Sequence, residues 1–327
     1  MLKNNKKIII TEIAKNNTSS LKERGLSPVD VINKARIVAD DEFYTRYEDI
    51  EKEITLYPKR IWKNKVVFCN CDSAADKDGK RNSAFALYFL RNFEELKLKK
   101  LICTHYSSKV DSFNADTNGY IFTKDGFSKI EDDYEPLKKY SDVYDGSFDH
   151  PISLKILNEE ADIVCTNPPF SKCIDYWNIL IGSGKKFLII SNIINVVTTA
   201  YISYFKDSKV WAGYNGVDWF ESPTKQLISA AGHWYTNLPI KNRPKYKRLK
   251  IMALNDIPEK YKKFDDARTL LADNGFIPND YDKPFAVSPR PILNGLLEKG
   301  YKIVQNYSYR STIKGNKKFS RILVQKI

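Results

Sequence analysis

From residue 65 to residue 206 the chain alternates short apolar runs with stretches of helical period. Residues 65–72, 101–104, 162–166 and 186–191 have the length and β-branched content of buried strands. Residues 83–96, 152–160, 172–181 and 196–206 repeat apolar side chains at helical spacing, and a hairpin is expected around 119–122. Strands and helices alternating at this rhythm predict an α/β fold with a doubly wound parallel sheet, whose ligands sit outside the C-terminal strand ends. After residue 206 the rhythm changes. Residues 210–214, 233–238 and 248–252 read as strands with no helix between them, an antiparallel edge, and residues 319–324 as a terminal strand. Upstream, Ser27, Pro28 and Asp30 are a helix start for residues 27–39, and a second helical run over 48–57 stops at Pro58. Residues 1–26 are polar and without sustained period, so a mobile tail is expected there.

Composition narrows the classes. With 327 residues and 42% hydrophobic content, there is material for one large domain, or one domain and a smaller lobe. The chain has no apolar run of about 18 residues, and the apolar segment Ile8-Ile9-Ile10 is too short for a signal peptide, so a soluble, cytoplasmic protein is expected. The five cysteines sit in or beside apolar runs, as reduced core thiols do. Neither they nor the three histidines have zinc-ligand spacing, and no metal is expected.

Charge adds a direction. Of the net +13, nearly all lies downstream of residue 205, where 23 Lys and Arg face 11 Asp and Glu. A neutral body beside a basic third suits a polyanion, with DNA or RNA the first candidates.

The strand at 162–166 ends in Asn167-Pro168-Pro169-Phe170. Two prolines fix φ and remove two backbone donors, leaving carbonyls with no helix to join. An Asn side chain, a free carbonyl and an aromatic ring at one strand end suit a planar base that carries an amine. Alone, the motif fits an ordinary strand-ending turn equally well. Context also excludes chemistry: the first strand is followed by Asn70-Cys71-Asp72-Ser73-Ala74-Ala75, without G-x-G-x-x-G, and no Walker lysine motif is present. NAD enzymes and P-loop ATPases are disfavoured, whereas a nucleoside cofactor without phosphates is compatible.

Asp41-Glu42-Phe43-Tyr44-Thr45, the first strand, residues 162–171 and Phe187-Leu188-Ile189-Ile190-Ser191-Asn192 together resemble the adenine-N6 DNA methyltransferases of the EcoRI modification type. Val210-Trp211-Ala212-Gly213-Tyr214-Asn215, Trp234-Tyr235-Thr236-Asn237-Leu238 and Arg321-Ile322-Leu323-Val324 are similar to further signatures of that family, which extends the resemblance over residues 40–327. It implies a Rossmann-like class I S-adenosylmethionine-dependent methyltransferase fold. It also implies methyl transfer to the amine of a flipped adenine in duplex DNA, as in restriction-modification. Asn167 and the Pro168 carbonyl would accept hydrogen bonds from the amine, Pro169 would complete the turn, and Phe170 would stack on the base. Cys165 and Cys173 receive no catalytic role. For the cofactor the resemblance points to Phe43, Tyr44 and Thr45 at the methionine end and to Asn70 and Asp72 at the end of the first strand. Phe148 and Asp149 would hold its adenine, with Asp145 and Ser147 as competing registers. The sequence departs from the general methyltransferase pattern at Thr104-His105-Tyr106, where an acid commonly holds the ribose.

The expected DNA contacts follow the charge: Lys241, Arg243, Lys245, Lys247, Arg248 and Lys250 interleaved with Pro244 and Tyr246, then Arg290, Arg310, Lys314, Lys317 and Lys318 with Tyr307 and Tyr309. The expected division is a tail and helix over 1–39, a catalytic domain over 40–254, and a basic recognition region over 255–327. The partners would be double-stranded DNA and a companion endonuclease acting on the same site, and a monomer is expected. Rival readings are methylation of RNA adenine or of a glutamine amide, and an inactive nucleic-acid-binding protein that keeps the fold.

Overall fold

Strands at 66–69, 100–104, 163–166 and 186–192 bury side chains on both faces, so both faces need a covering layer. The computed structural model describes residues 44–72, 83–106, 119–130, 144–221, 226–241, 249–272, 274–307, 312–317 and 320–327. The chain divides into two units, Met1–Glu42 and Phe43–Ile327. The first, with the expected tail and the helix at 27–39, lies outside the described residues.

One mixed sheet contains β1 (Val66–Cys69), β2 (Lys100–Thr104), β3 (Gly119–Phe122), β4 (Phe127–Lys129), β5 (Ile163–Thr166), β6 (Lys186–Asn192), β7 (Trp211–Glu221) and β8 (Leu227–Thr236). Their order is β4-β3-β2-β1-β5-β6-β8-β7. The central four, β2-β1-β5-β6, are parallel, and antiparallel pairs flank them on both sides. The expected hairpin at 119–122 therefore forms a second antiparallel edge. Strand order reverses at β1, whose neighbours are β2 and β5. In α/β sheets such a reversal is where ligands bind, outside the C-terminal strand ends.

Helices cover both faces. On one, α1 (Tyr47–Ile54) and α2 (Ala84–Arg91) bring Ile50, Ile54, Phe85 and Phe89 against Val67, Cys69, Ile163, Cys165 and Leu188. A short α3 (Phe93–Leu96) follows. On the other, α4 (Pro151–Lys155), α5 (Cys173–Gly182) and α6 (Thr199–Lys206) bring Ile152, Tyr176, Trp177, Tyr201 and Phe205 against Phe68, Val164, Phe187 and Ile189. Each fully buried large apolar side chain contributes about 1.5–3 kcal/mol.

Three expected helices are interrupted, each for a local reason. The run 83–96 starts with Ser83 capping Ala86 N–H, but breaks at Asn92, whose Nδ2 donates to Tyr88 O at 2.8 Å. The run 152–160 widens to a π-helix over Ile156–Glu160, closed by Ala161 N–H on Ile156 O. The run 196–206 divides at extended Thr198 into a 3₁₀ turn, Ile193–Val197, and α6.

One expectation is corrected. The stretch 248–252 does not join the antiparallel edge: β9 (Lys250–Met252) pairs in parallel with Phe276–Pro278 in a separate two-stranded sheet. Isolated apolar runs carry no mark of their partner, so a pattern reading cannot assign it. The basic region also holds more regular structure than its composition suggests. The remaining strands are β10 (Lys262–Phe264), β11 (Leu270–Ala272), β12 (Phe276–Pro278), β13 (Phe285–Val287), β14 (Tyr301–Asn306), β15 (Thr312–Ile313), β16 (Asn316–Lys317) and β17 (Ile322–Lys326), with α7 (Pro289–Leu293) among them. A second sheet runs β10-β11-β13-β17-β14, and the expected terminal strand, β17, is next to its last position. This sheet is joined to α6 and the 3₁₀ turn before it: Lys206 Nζ donates to Val304 O at 3.1 Å, and Asn306 Nδ2 donates to Val197 O. Among the described residues no helix is long and apolar enough to cross a membrane.

Candidate active site

The registers bring Asn70, Asp72, Thr104 and Asn167 to one edge of the parallel core, the C-terminal edge of β1, β2 and β5. Here β5 leaves the sheet through Pro168 and Pro169 into a 3₁₀ turn, Phe170–Lys172, and then α5. Asn167, Pro169 and Phe170 are half-buried and Pro168 is buried, so the turn is walled by protein yet open on one side. The start of α5 is tied to β6: Cys173 Sγ lies 2.8 Å from Ser191 Oγ, which also accepts from Asn195 Nδ2 at 2.6 Å. Burial raises the thiols of Cys165 and Cys173 above the ordinary cysteine value, so both stay protonated at neutral pH.

The residues expected at the cofactor fall into three groups. Phe43 lies outside the described residues. Tyr44 is exposed and pairs with Glu221 through two backbone hydrogen bonds of 2.8 Å. Thr45 is buried, and its Oγ1 finds no partner among the described residues. Asn70 and Asp72 are buried and bond to the flanks of the Asn167–Phe170 turn: Asn70 Oδ1 accepts from Tyr176 OH at 2.7 Å, and Asp72 Oδ2 from Thr166 Oγ1 at 2.5 Å. Asp72 N–H donates to Thr104 O at 2.8 Å. Thr104 itself is wholly buried, and its hydroxyl has no partner among the described residues. Phe148 is packed in the core, edge-on to Tyr176 with ring centres 5.0 Å apart. Asp149 is exposed and accepts from Ser147 Oγ, while Asp145 accepts from Ser147 N–H at 2.8 Å. Lys172 lies over the rings of Phe148 and Tyr106, at 5.8 and 6.0 Å.

Sequence reasoning missed the part played by the β7–β8 hairpin. β6 pairs with β8 only through Gly232–Thr236, so residues 227–231 and their partners on β7 overhang the C-terminal end of β6. From this overhang the buried Phe220 packs edge-on against Phe170. Gly232 makes room for it, because a Cβ there would come within 2.9 Å of Phe220 Cζ. The one available signal was that apolar residues continue past 214, at Val217, Trp219 and Phe220.

The described basic candidates do not converge. Arg290 is exposed on α7, which packs against residues 193–197 beside the site edge. Lys241 is exposed, but its backbone is bound to Tyr214 OH where the chain has left β8 at the end paired with the start of β6, away from Asn167. Lys250 lies 4.4 Å over the Phe276 ring. Lys314 is exposed in the β15–β16 hairpin, with its N–H on Asp266 at 2.7 Å. Arg243, Lys245, Lys247, Arg248, Arg310 and Lys318, together with the side chain of Lys317, lie outside the described residues.

Comparison with known proteins identifies the family. The family model described as adenine-specific methyltransferase EcoRI matches residues 31–325. The Type II methyltransferase M.EcoRI of Escherichia coli is 35% identical over 234 residues, 64% of this chain and 69% of that protein. M.MgeORF184P of Mycoplasma genitalium is 36% identical over 56% of this chain and 50% of its own length. M.MpnI of Mycoplasma pneumoniae is 29% identical over 71% and 72%. No solved structure matches. With the family match running through both sheets and the Asn167 turn, the chain belongs to the adenine-specific methyltransferases of the EcoRI type.

Proposed function

We propose that the protein methylates the N6 amine of an adenine turned out of duplex DNA, with S-adenosylmethionine as donor, in a restriction-modification setting. The observation that carries this reading is the Asn167–Phe170 turn at the C-terminal end of β5, beside the strand-order reversal at β1. Adenine N6 is a weak nucleophile because its lone pair is delocalised into the ring. Asn167 Oδ1 and the Pro168 carbonyl accept the two amine hydrogens, which localises that pair and aims it. Phe170, steadied by Phe220, gives the ring a face to stack on. No covalent nucleophile is needed. Orientation and fixed dipoles supply the acceleration.

S-adenosylmethionine, when bound, supplies an electrophilic methyl group on a sulfonium. The residues present fit such a nucleoside: the hydroxyls of Thr45 and Thr104 are buried and lack partners among the described residues, as groups reserved for a ligand would be. Tyr44, Thr45, Asn70 and Asp72 would hold the amino-acid and ribose portions, in a Rossmann-like class I arrangement. Lys172, between Phe148 and Tyr106, guards the side where the cofactor's adenine would lie. The basic region, with its second sheet, would grip DNA phosphates, with Arg290 on a helix that packs against residues 193–197.

The test is incubation with tritiated S-adenosylmethionine and either unmethylated duplex DNA or RNA, followed by nucleoside analysis. Label in N6-methyldeoxyadenosine is expected. Label in RNA alone moves the acceptor, and failure to bind the cofactor sinks the reading.

A further inference from the structure

Both flanks of the Asn167–Phe170 turn are fastened to one short segment at the end of β1. Before the turn, Thr166 donates its hydroxyl to Asp72. After it, Tyr176 on α5 donates its phenol to Asn70 at 2.7 Å. The two donors lie on opposite sides of the turn in sequence, and their acceptors are two residues apart. Thr166 and Tyr176 are 0% and 1% exposed, so neither hydroxyl can reach a base. Burial holds the Tyr176 phenol well above its ordinary pKa, which keeps it a donor throughout the neutral range.

The prolines stiffen the inside of the turn, but they do not stop it from tilting as a body about its two ends. Tilting would spoil catalysis that depends on orientation, because a misplacement of about 1 Å costs roughly 100-fold in rate. Two side-chain hydrogen bonds, one per end, remove that freedom. They also refer the turn to the very strand end where the methyl donor is expected.

We propose that Thr166 and Tyr176 are positioning residues, whose hydroxyls lock the target-amine turn to Asp72 and Asn70 and so hold the acceptor and donor halves of the site in register. This rests on the methyltransferase reading above. It gives Asn70 and Asp72 a role in registering the turn beyond holding cofactor.

The test compares wild type with Thr166→Val, Thr166→Ser and Tyr176→Phe. For each, kcat and KM for methyl transfer to unmethylated duplex DNA are measured with equilibrium affinities for S-adenosylmethionine and DNA, and with melting temperature. Thr166→Val and Tyr176→Phe preserve shape and delete one hydrogen bond each. We expect kcat to fall about 10- to 100-fold in both, with the two affinities within about threefold of wild type. Thr166→Ser, which restores the hydroxyl, should recover to within about threefold. A purely structural role would lower melting temperature without this split between kcat and affinity, and without rescue by Ser. Wild-type kcat in both variants overturns the inference while the methyltransferase reading stands. A wild type that methylates no adenine overturns that reading, and the inference with it. The two flanks are probed by separate variants, and wild-type kcat in one of them alone overturns the lock at that end of the turn.

Discussion

Phe170 meets Phe220 edge to face, with ring centres 5.9 Å apart and planes at 86°. The first belongs to the turn after β5 and the second to the overhanging hairpin 50 residues later, so this aromatic contact is shared between two parts of the sheet.

That sharing predicts the behaviour of Phe220→Leu. The substitution keeps an apolar group over Gly232 but loses the aromatic edge, which is worth about 0.5–1.5 kcal/mol beyond simple burial. If the edge steadies Phe170 for the base, kcat/KM should fall about 2- to 12-fold, and because Phe220 is fully buried the melting temperature should also drop by about 2–4 °C. Steady-state methylation beside a thermal melt checks this. An unchanged kcat/KM would show that Phe170 needs no such support.

Asn167→Ala makes a larger and different change. On the proposed mechanism it removes an acceptor for the amine and no phosphate contact, so transfer should drop by about 100-fold or more while DNA affinity stays within about threefold. Tritium transfer and fluorescence anisotropy measure the two halves. A variant that methylates duplex DNA at the wild-type rate is incompatible with the mechanism.

The four parallel strands and the Asn167 turn were legible in the sequence because buried β-branched runs and paired prolines are local signals. Other signature residues mean something else in the fold. Thr236 Oγ1 donates to Phe187 O, and Asn237 bonds both Phe187 N–H and Lys185 O, so this stretch fastens β8 to β6. Trp234 packs edge-on to Phe85 in the core. What stayed illegible is non-local. Asp72 and Thr166 are separated by 94 residues and Asn70 and Tyr176 by 106, and no spacing rule connects them. The pairing of β9 with β12 and the second sheet were hidden for the same reason: strands of three residues carry too little period to declare a partner.

Glu53 is another such non-local group, and it yields a prediction about pH. It is wholly buried on α1, yet its carboxyl accepts from Tyr214 N–H at 2.7 Å, Asn215 N–H at 2.9 Å, Asn215 Nδ2 at 2.8 Å and Tyr57 OH at 3.1 Å. Gly213 lets it approach, since a Cβ there would come within 2.5 Å of Glu53 Oε1. These bonds clamp α1, and the Tyr44-Thr45 segment before it, onto β7. Burial outweighs the four donors and pushes the carboxyl up from 4.5 to about 7. The unfolded chain therefore releases this proton near pH 4.5 and the folded one near pH 7. Between those values the folded state holds the extra proton, so this group's contribution to stability is fully present below pH 4.5 and declines as pH rises through about 7. The decline is on the order of 3 kcal/mol across that window. Glu53→Gln cannot titrate, and its Nε2 would face donors rather than an acceptor, so the variant should be less stable by about 1–3 kcal/mol. Its unfolding free energy should nonetheless fall less steeply than that of wild type from pH 4.5 to 7. Urea titrations of both proteins at half-unit pH intervals give the two slopes, and parallel curves would refute the assignment of the titration to Glu53.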